Sequence, residues 1–234
     1  LASASYCPTN LIKNWTCGQH CDALPSMIIY DAGGNNQDVP YWCVGYLPLL
    51  ESAVVAHQGT SPSELESVLF NANYFLDNLD PKYFPRINPP VQVHQGFAAC
   101  HGKTADRVNL AVKKILRDHQ INEVVTIGHS LGGALAVLDA MSLQQFLPSA
   151  TRFKIVIFRQ PRVGNQEFAD HFDARECSFP KISRLTHKDD VVPILPGRFL
   201  GFHHTGGENH IDPEGQWWRC IGNIMLCSCL RQRS

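Results

Sequence analysis

A serine, a carboxylate and an imidazole can together cleave an acyl bond, and this sequence holds the first two in a suggestive arrangement. Gly128-His129-Ser130-Leu131-Gly132 is a G-x-S-x-G match. A serine hydroxyl is a poor nucleophile unless a base takes its proton and a carboxylate orients that base. The context of Ser130 suits this task. A run of strand formers leads into it (Glu123–Ile127, "EVVTI"), and a helix leaves it (Leu131–Leu147, stopped by Pro148). The chain must reverse within a few residues, which strains the serine backbone and lifts its hydroxyl above the sheet edge. Gly128 and Gly132 lack Cβ atoms, so strand and helix can approach at that corner. The start of the helix offers N–H groups to a negative oxygen, and that of Leu131 is the natural first donor. A glycine-rich turn whose serine merely caps the helix would show the same five letters. The strand before and the helix after favour the nucleophile.

In this architecture the chain order is serine, then acid, then histidine. After Ser130, the tract "RLTHKDDVVPILPG" ends a predicted strand with Asp189 and Asp190, where an orienting carboxylate belongs. Two aspartates capping a turn is the bland alternative. The histidines that follow are His203, His204 and His210. His129 flanks the nucleophile and is expected to point away from it as a packing residue. His57 and His94 each precede a Gln-Gly pair and suggest no chemistry.

These residues need a frame. Ser52–His57, Glu123–Ile127, Phe153–Phe158 and Lys181–Thr186 read as strands. Thr104–His119 and Leu131–Leu147 read as helices, with a shorter one over Asn165–Ala174. The alternation predicts an α/β fold, a mostly parallel sheet with helices on both faces, as one domain over residues 1–234. Residues 218–234 read as an atypical tail. In such sheets the site lies beyond the carboxyl ends of the strands.

Apolar residues make up 44% and charged residues 18%, which excludes a disordered chain. A net charge of −1 gives no electrostatic case for nucleic acid or an anionic membrane. No apolar run reaches the ~20 residues of a transmembrane helix. The start at Leu1 reads as a processed precursor or a fragment. Nine cysteines point to an oxidising compartment with several disulfides, and their odd number leaves one thiol over. The sequon Asn14-Trp15-Thr16 agrees with secretion. Cys17, His20 and Cys21 match no standard zinc spacing, so no metal is expected.

"VVAHQGT", "VVTIGHSLGGALA", "RQPRVGNQEFAD" and "THKDDVVPILPGRFLGF" together resemble the fungal class 3 lipases, a group that also includes feruloyl esterases. The likeness runs from about Tyr6 to about Trp217, with the motifs in the family's order. It implies an α/β-hydrolase fold, Asp190 rather than Asp189 as the acid, and Thr60 as the second oxyanion residue beside Leu131. It also implies a lid after Thr60. Ser63-Glu64-Leu65-Glu66 is a capping box, and Leu65, Val68 and Leu69 share one face of the helix it opens. An ordinary surface helix would read the same way.

Two positions depart from the family. Arg159 stands where members usually carry glycine. The family's catalytic histidine comes from a segment well downstream of "GFHHTGGENHI", and the tail here contains no histidine. The resemblance implies a secreted serine esterase acting on lipid esters without cofactor, with a feruloyl esterase or an inactive hydrolase lacking its histidine as alternatives. His204 and His210 match tract positions that are not the family's base.

Overall fold

The computed structural model describes residues 1–61, 74–87, 90–173, 181–220 and 229–231. The expected lid helix, Ser63–Phe70, lies outside them. Two short helices, α1 (Thr9–Lys13) and α2 (Gln19–Asp22), precede a hairpin of β1 (Ile28–Gly33) and β2 (Trp42–Leu47). Then come β3 (Ser52–His57), the short pair β4 (Leu76–Asn78) and β5 (Gln92–His94), and helices α3 (Gln95–Gly102) and α4 (Ala105–His119). Next are β6 (Glu123–His129), α5 (Leu131–Phe146), β7 (Arg152–Phe158) and α6 (Gln166–Asp173). The chain continues with β8 (Lys181–His187), β9 (Glu208–Ile211), β10 (Trp217–Cys220) and β11 (Cys229–Arg231).

Among the described residues, nine strands form one sheet in the order β1-β2-β3-β6-β7-β8-β9-β10-β11. The central strands β3, β6, β7, β8 and β9 are parallel, and antiparallel pairs extend both edges. The fold is the expected one, and the described part of the tail adds two strands to it. β3 is buried along its whole length and β6 along all but its end residues, as central parallel strands are.

Alternate residues of these strands face opposite cores. Val44, Ala53, Val55 and Val124 pack toward α4 and α5, through Val108, Val112, Ile115 and Leu138. Cys43, Val54, Ala56, Val125 and Ile127 pack toward the N-terminal segment, through Ile12 and the half-buried Leu1 and Trp15. Helices therefore cover both faces. α5 is buried nearly all round, which its run of Gly, Ala and Leu permits. α4 is amphipathic and stops at Gln120, whose φ of 54° is left-handed. The hairpin β1–β2 is an addition to the strands expected from the sequence.

Cys17 and Cys21 form a disulfide, so in this state neither thiol is open to a metal. Cys220 is also disulfide-bonded, while Cys7, Cys43 and Cys100 are free.

Candidate active site

Ser130 lies in the turn between β6 and α5 with φ 53° and ψ −124°, a conformation that costs a non-glycine residue roughly 1–3 kcal/mol. The turn is tight enough to dictate its neighbours. A Cβ on Gly128 would lie 2.0 Å from the carbonyl oxygen of Gly132, and one on Gly132 would lie 2.4 Å from that of His57. Neither glycine tolerates a side chain unless the corner opens. The Ser130 N–H donates to the Phe158 carbonyl at 2.9 Å, which anchors the elbow to the end of β7.

By helix geometry, the first N–H groups of α5, including that of Leu131, have no carbonyl partner within the helix. The loop after β3 runs alongside. Gly59 packs so closely that a Cβ there would meet the His129 carbonyl at 2.3 Å and the Ser130 Cβ at 3.0 Å. Thr60 follows, half-buried, at the same edge of the sheet. The loop is tied down by the buried side chain of Gln58. Its Oε1 accepts from the Tyr41 N–H at 2.8 Å, and its Nε2 donates to Asn36 Oδ1 at 2.6 Å.

Asp190 follows β8, one strand beyond β7, so it and Ser130 emerge at the same carboxyl edge. Its Oδ1 accepts from the Val192 N–H at 3.0 Å. Its Oδ2 accepts from Arg159 Nε, in an ion pair whose carboxylate is 9% exposed and whose guanidinium is 40% exposed. Arg159 has a φ of 57°, the left-handed conformation that glycine adopts freely. Asp189 is exposed. An opening of about 620 Å³ lies beside this carboxylate, lined by Phe158, Arg159, Leu185, His187 and Asp190 among others.

All eleven histidines are among the described residues, and none hydrogen-bonds to Ser130 or Asp190. His204 Nε2 donates to the Pro193 carbonyl at 2.6 Å. Burial, with the charges of Arg184 and Arg162 added, holds His204 well below its ordinary pKa, so it is neutral. His210 Nδ1 is 2.9 Å from Thr186 Oγ1, and the His203 N–H donates to the Gly164 carbonyl. Burial and the nearby arginines Arg198 and Arg162 lower the pKa of His203 as well.

His129 is more than the packing residue expected. Its Nδ1 accepts from the Tyr6 hydroxyl at 2.6 Å, and that hydroxyl in turn accepts from the Gly59 N–H at 3.1 Å. Burial, and secondarily the charge of Arg159, lower the His129 pKa, which suits a ring acting as acceptor. Tyr6 thus bridges the elbow to the loop carrying Thr60. Tyr6 and His129 also border an apolar cavity of about 750 Å³, reaching Leu1, Ile127, Val156 and Phe158.

His57 and His94 also have partners. His94 caps α3, its Nδ1 accepting from the N–H groups of Gly96 and Phe97. His57 lies against Asp139. The bridge made by Tyr6 is a long-range contact with no local signal in the sequence. Asp139 had one, as a lone carboxylate in the otherwise apolar run "ALAVLDAMSL".

Comparison with known proteins supports the family and the fold. The lipase (class 3) family model matches residues 54–200. A secreted mono- and diacylglycerol lipase of Malassezia globosa is 31% identical over 164 residues, covering 69% of this chain and 51% of that protein. Lipase II from Rhizopus niveus superposes with a TM-score of 0.77 at 26% identity, covering 90% of this chain and 76% of that one. A triacylglycerol lipase whose catalytic centre is described as a serine protease triad gives a TM-score of 0.76 at 26% identity, with coverages of 90% and 76%. The chain spans about half the length of the curated relatives it matches.

Proposed function

The chain belongs to the class 3 lipase family, and from that premise we propose that it is a secreted carboxylic ester hydrolase built for lipid esters. The observation that carries this is the strained Ser130 elbow sharing one sheet edge with Asp190. Ser130 Oγ attacks the ester carbonyl carbon. The oxygen that becomes negative is met by the Leu131 N–H at the start of α5 and by Thr60 from the loop after β3. The alcohol leaves, an acyl-enzyme remains, and water releases the fatty acid. Asp190 is the carboxylate that would orient the base. No step calls for a metal or an organic cofactor, and the relatives' names support fatty over aromatic acyl groups and secretion. Among the described residues, no helix is long and apolar enough to cross a membrane.

A second reading has an observation of its own. The Asp190 carboxylate is held by Arg159 and not by an imidazole. On this reading the 234-residue chain binds esters but turns them over slowly. One experiment tests both. Hydrolysis of p-nitrophenyl butyrate, p-nitrophenyl decanoate and methyl ferulate is measured for the chain and for Ser130→Ala. Turnover of the p-nitrophenyl esters that Ser130→Ala abolishes supports the ester hydrolase. Equal rates for the two proteins on every ester refute it, and a marked preference for the ferulate overturns the lipid assignment.

A further inference from the structure

Asp139 is a carboxylate with 1% exposure on α5, nine residues after Ser130. A buried charge is costly unless it is paired and hydrogen-bonded. Its partners come from two other elements. His57 Nε2, at the last residue of β3, is 2.5 Å from Oδ2. His101 Nε2, in the last turn of α3, is 3.2 Å from Oδ1. All three side chains are at most 2% exposed. Burial pushes the carboxyl pKa up, but the charge and hydrogen bond of His57 and the ion-pair contact of His101 outweigh it and bring Asp139 down to about 2.

The location of this cluster matters more than its charge. His57 immediately precedes Gln58-Gly59-Thr60, the loop that reaches the elbow. Its own carbonyl and that of Gln58 press on the first turn of α5, where a Cβ on Gly132 would meet them at 2.4 Å and 2.6 Å. The end of β3 therefore touches α5 twice. Its backbone rests on Gly132, and its imidazole is held by Asp139, seven residues and about 10 Å further along the helix axis. One contact sets a distance, and two separated contacts along a rigid helix also set an orientation.

We propose that Asp139 is a positioning residue that, through His57, fixes the Thr60 loop relative to the first turn of α5, with His101 bracing the carboxylate from its other side. The kinetic consequence rests on the ester-hydrolase reading, in which Thr60 and Leu131 hold the same oxygen. The structural consequence does not.

The test uses the full chain and the variants Asp139→Asn, Asp139→Leu and His101→Gln. It measures kcat and KM on p-nitrophenyl butyrate, thermal melting, and amide hydrogen exchange resolved by peptide. Misplacement of a reacting or stabilising group by about 1 Å can cost on the order of 100-fold. Asp139→Asn is expected to lower kcat by about 10–100-fold with KM within about twofold. Exchange over residues 53–61 should quicken relative to the β6 and β7 peptides, and His101→Gln should show the same pattern more weakly. Unchanged kcat with a lowered melting temperature, or exchange that quickens equally across the sheet, would mean that Asp139 only packs the core, and would overturn the proposal. If the parent turns over no ester, the ester-hydrolase reading fails by itself, and selective or uniform exchange still decides the positioning role. If Asp139→Leu does not fold, the isosteric Asp139→Asn and the milder His101→Gln carry the decision.

Discussion

The rate of this chain on a simple ester can be anticipated from where its histidines lie. A general base must come within about 2.6–3.2 Å of the hydroxyl it deprotonates, and its contribution is typically 10²–10⁴-fold. None of the eleven imidazoles hydrogen-bonds to Ser130 or Asp190, and His204 and His210 are engaged elsewhere. The elbow and its N–H donors remain. A chain without its base should therefore hydrolyse the ester about 10²–10⁴-fold more slowly than an ordinary enzyme does. The assay is p-nitrophenyl butyrate hydrolysis with Ser130→Ala as the blank, repeated with added imidazole as an external base. Imidazole should accelerate the parent above the Ser130→Ala background. It should accelerate Arg159→Gly further, because that change frees the Asp190 carboxylate and removes a bulky side chain from the opening of about 620 Å³. Turnover without imidazole as fast as that of an ordinary enzyme, roughly 10 s⁻¹, and abolished by His204→Ala or His210→Ala, would refute the reasoning and make that histidine the base.

Three further outcomes follow from the same contacts. Gly132→Ala must move the β3 end and α5 apart by about 1 Å to bring its Cβ from 2.4 Å to ordinary contact with the His57 carbonyl, so a loss of about 1–3 kcal/mol is expected in chemical denaturation. An unchanged midpoint would show that the elbow yields without cost. Tyr6→Phe leaves His129 Nδ1 and the Gly59 N–H without their shared partner, and should cost about 1–3 kcal/mol in the same measurement. Stability should also fall in two stages on acidification, followed by melting temperature against pH. The folded-state pKa values of His204, His203 and His129 are lowered, so the unfolded chain takes up protons first and stability declines as pH drops below about 6.5. Asp139 adds stability above its unfolded value near 4, lost as pH falls toward about 2. A melting temperature that stays flat from pH 7 to 5 would contradict the first stage.

The fold is legible in the sequence where one physical requirement dominates. Ser52–His57 reads as a strand, and is one, because a central parallel strand must be apolar on both faces. The helix after Ser130 stops at Phe146, one residue before the expected end, because Pro148 cannot continue it. Outer strands are harder. β1, β9 and β10 carry mixed polarity and are only partly buried, and their pairing depends on distant neighbours. Boundaries also drift where tertiary contacts extend a strand. β6 runs on to His129 because β7 continues alongside it to Phe158. The histidines are the least legible. His94 as a cap and His57 as a carboxylate partner both depend on which side chains the fold brings to them.

Arg159 shows why the two departures from the family pattern belong together. From the sequence, a long cation at a glycine position and a missing base are separate oddities. In the fold, Asp190 stands at the sheet edge with 9% of its side chain exposed, and a carboxylate that buried needs a cationic or hydrogen-bonding partner. In a serine triad an imidazole is that partner. Here the guanidinium of Arg159 is, reached from a left-handed backbone that costs an L residue about 1–2 kcal/mol relative to glycine. The ion pair offsets that strain, and a glycine at 159 would leave Asp190 with only the Val192 N–H. Within this chain the guanidinium of Arg159, and no imidazole, holds the carboxylate. Any histidine brought to this site must displace the guanidinium before it can serve Ser130.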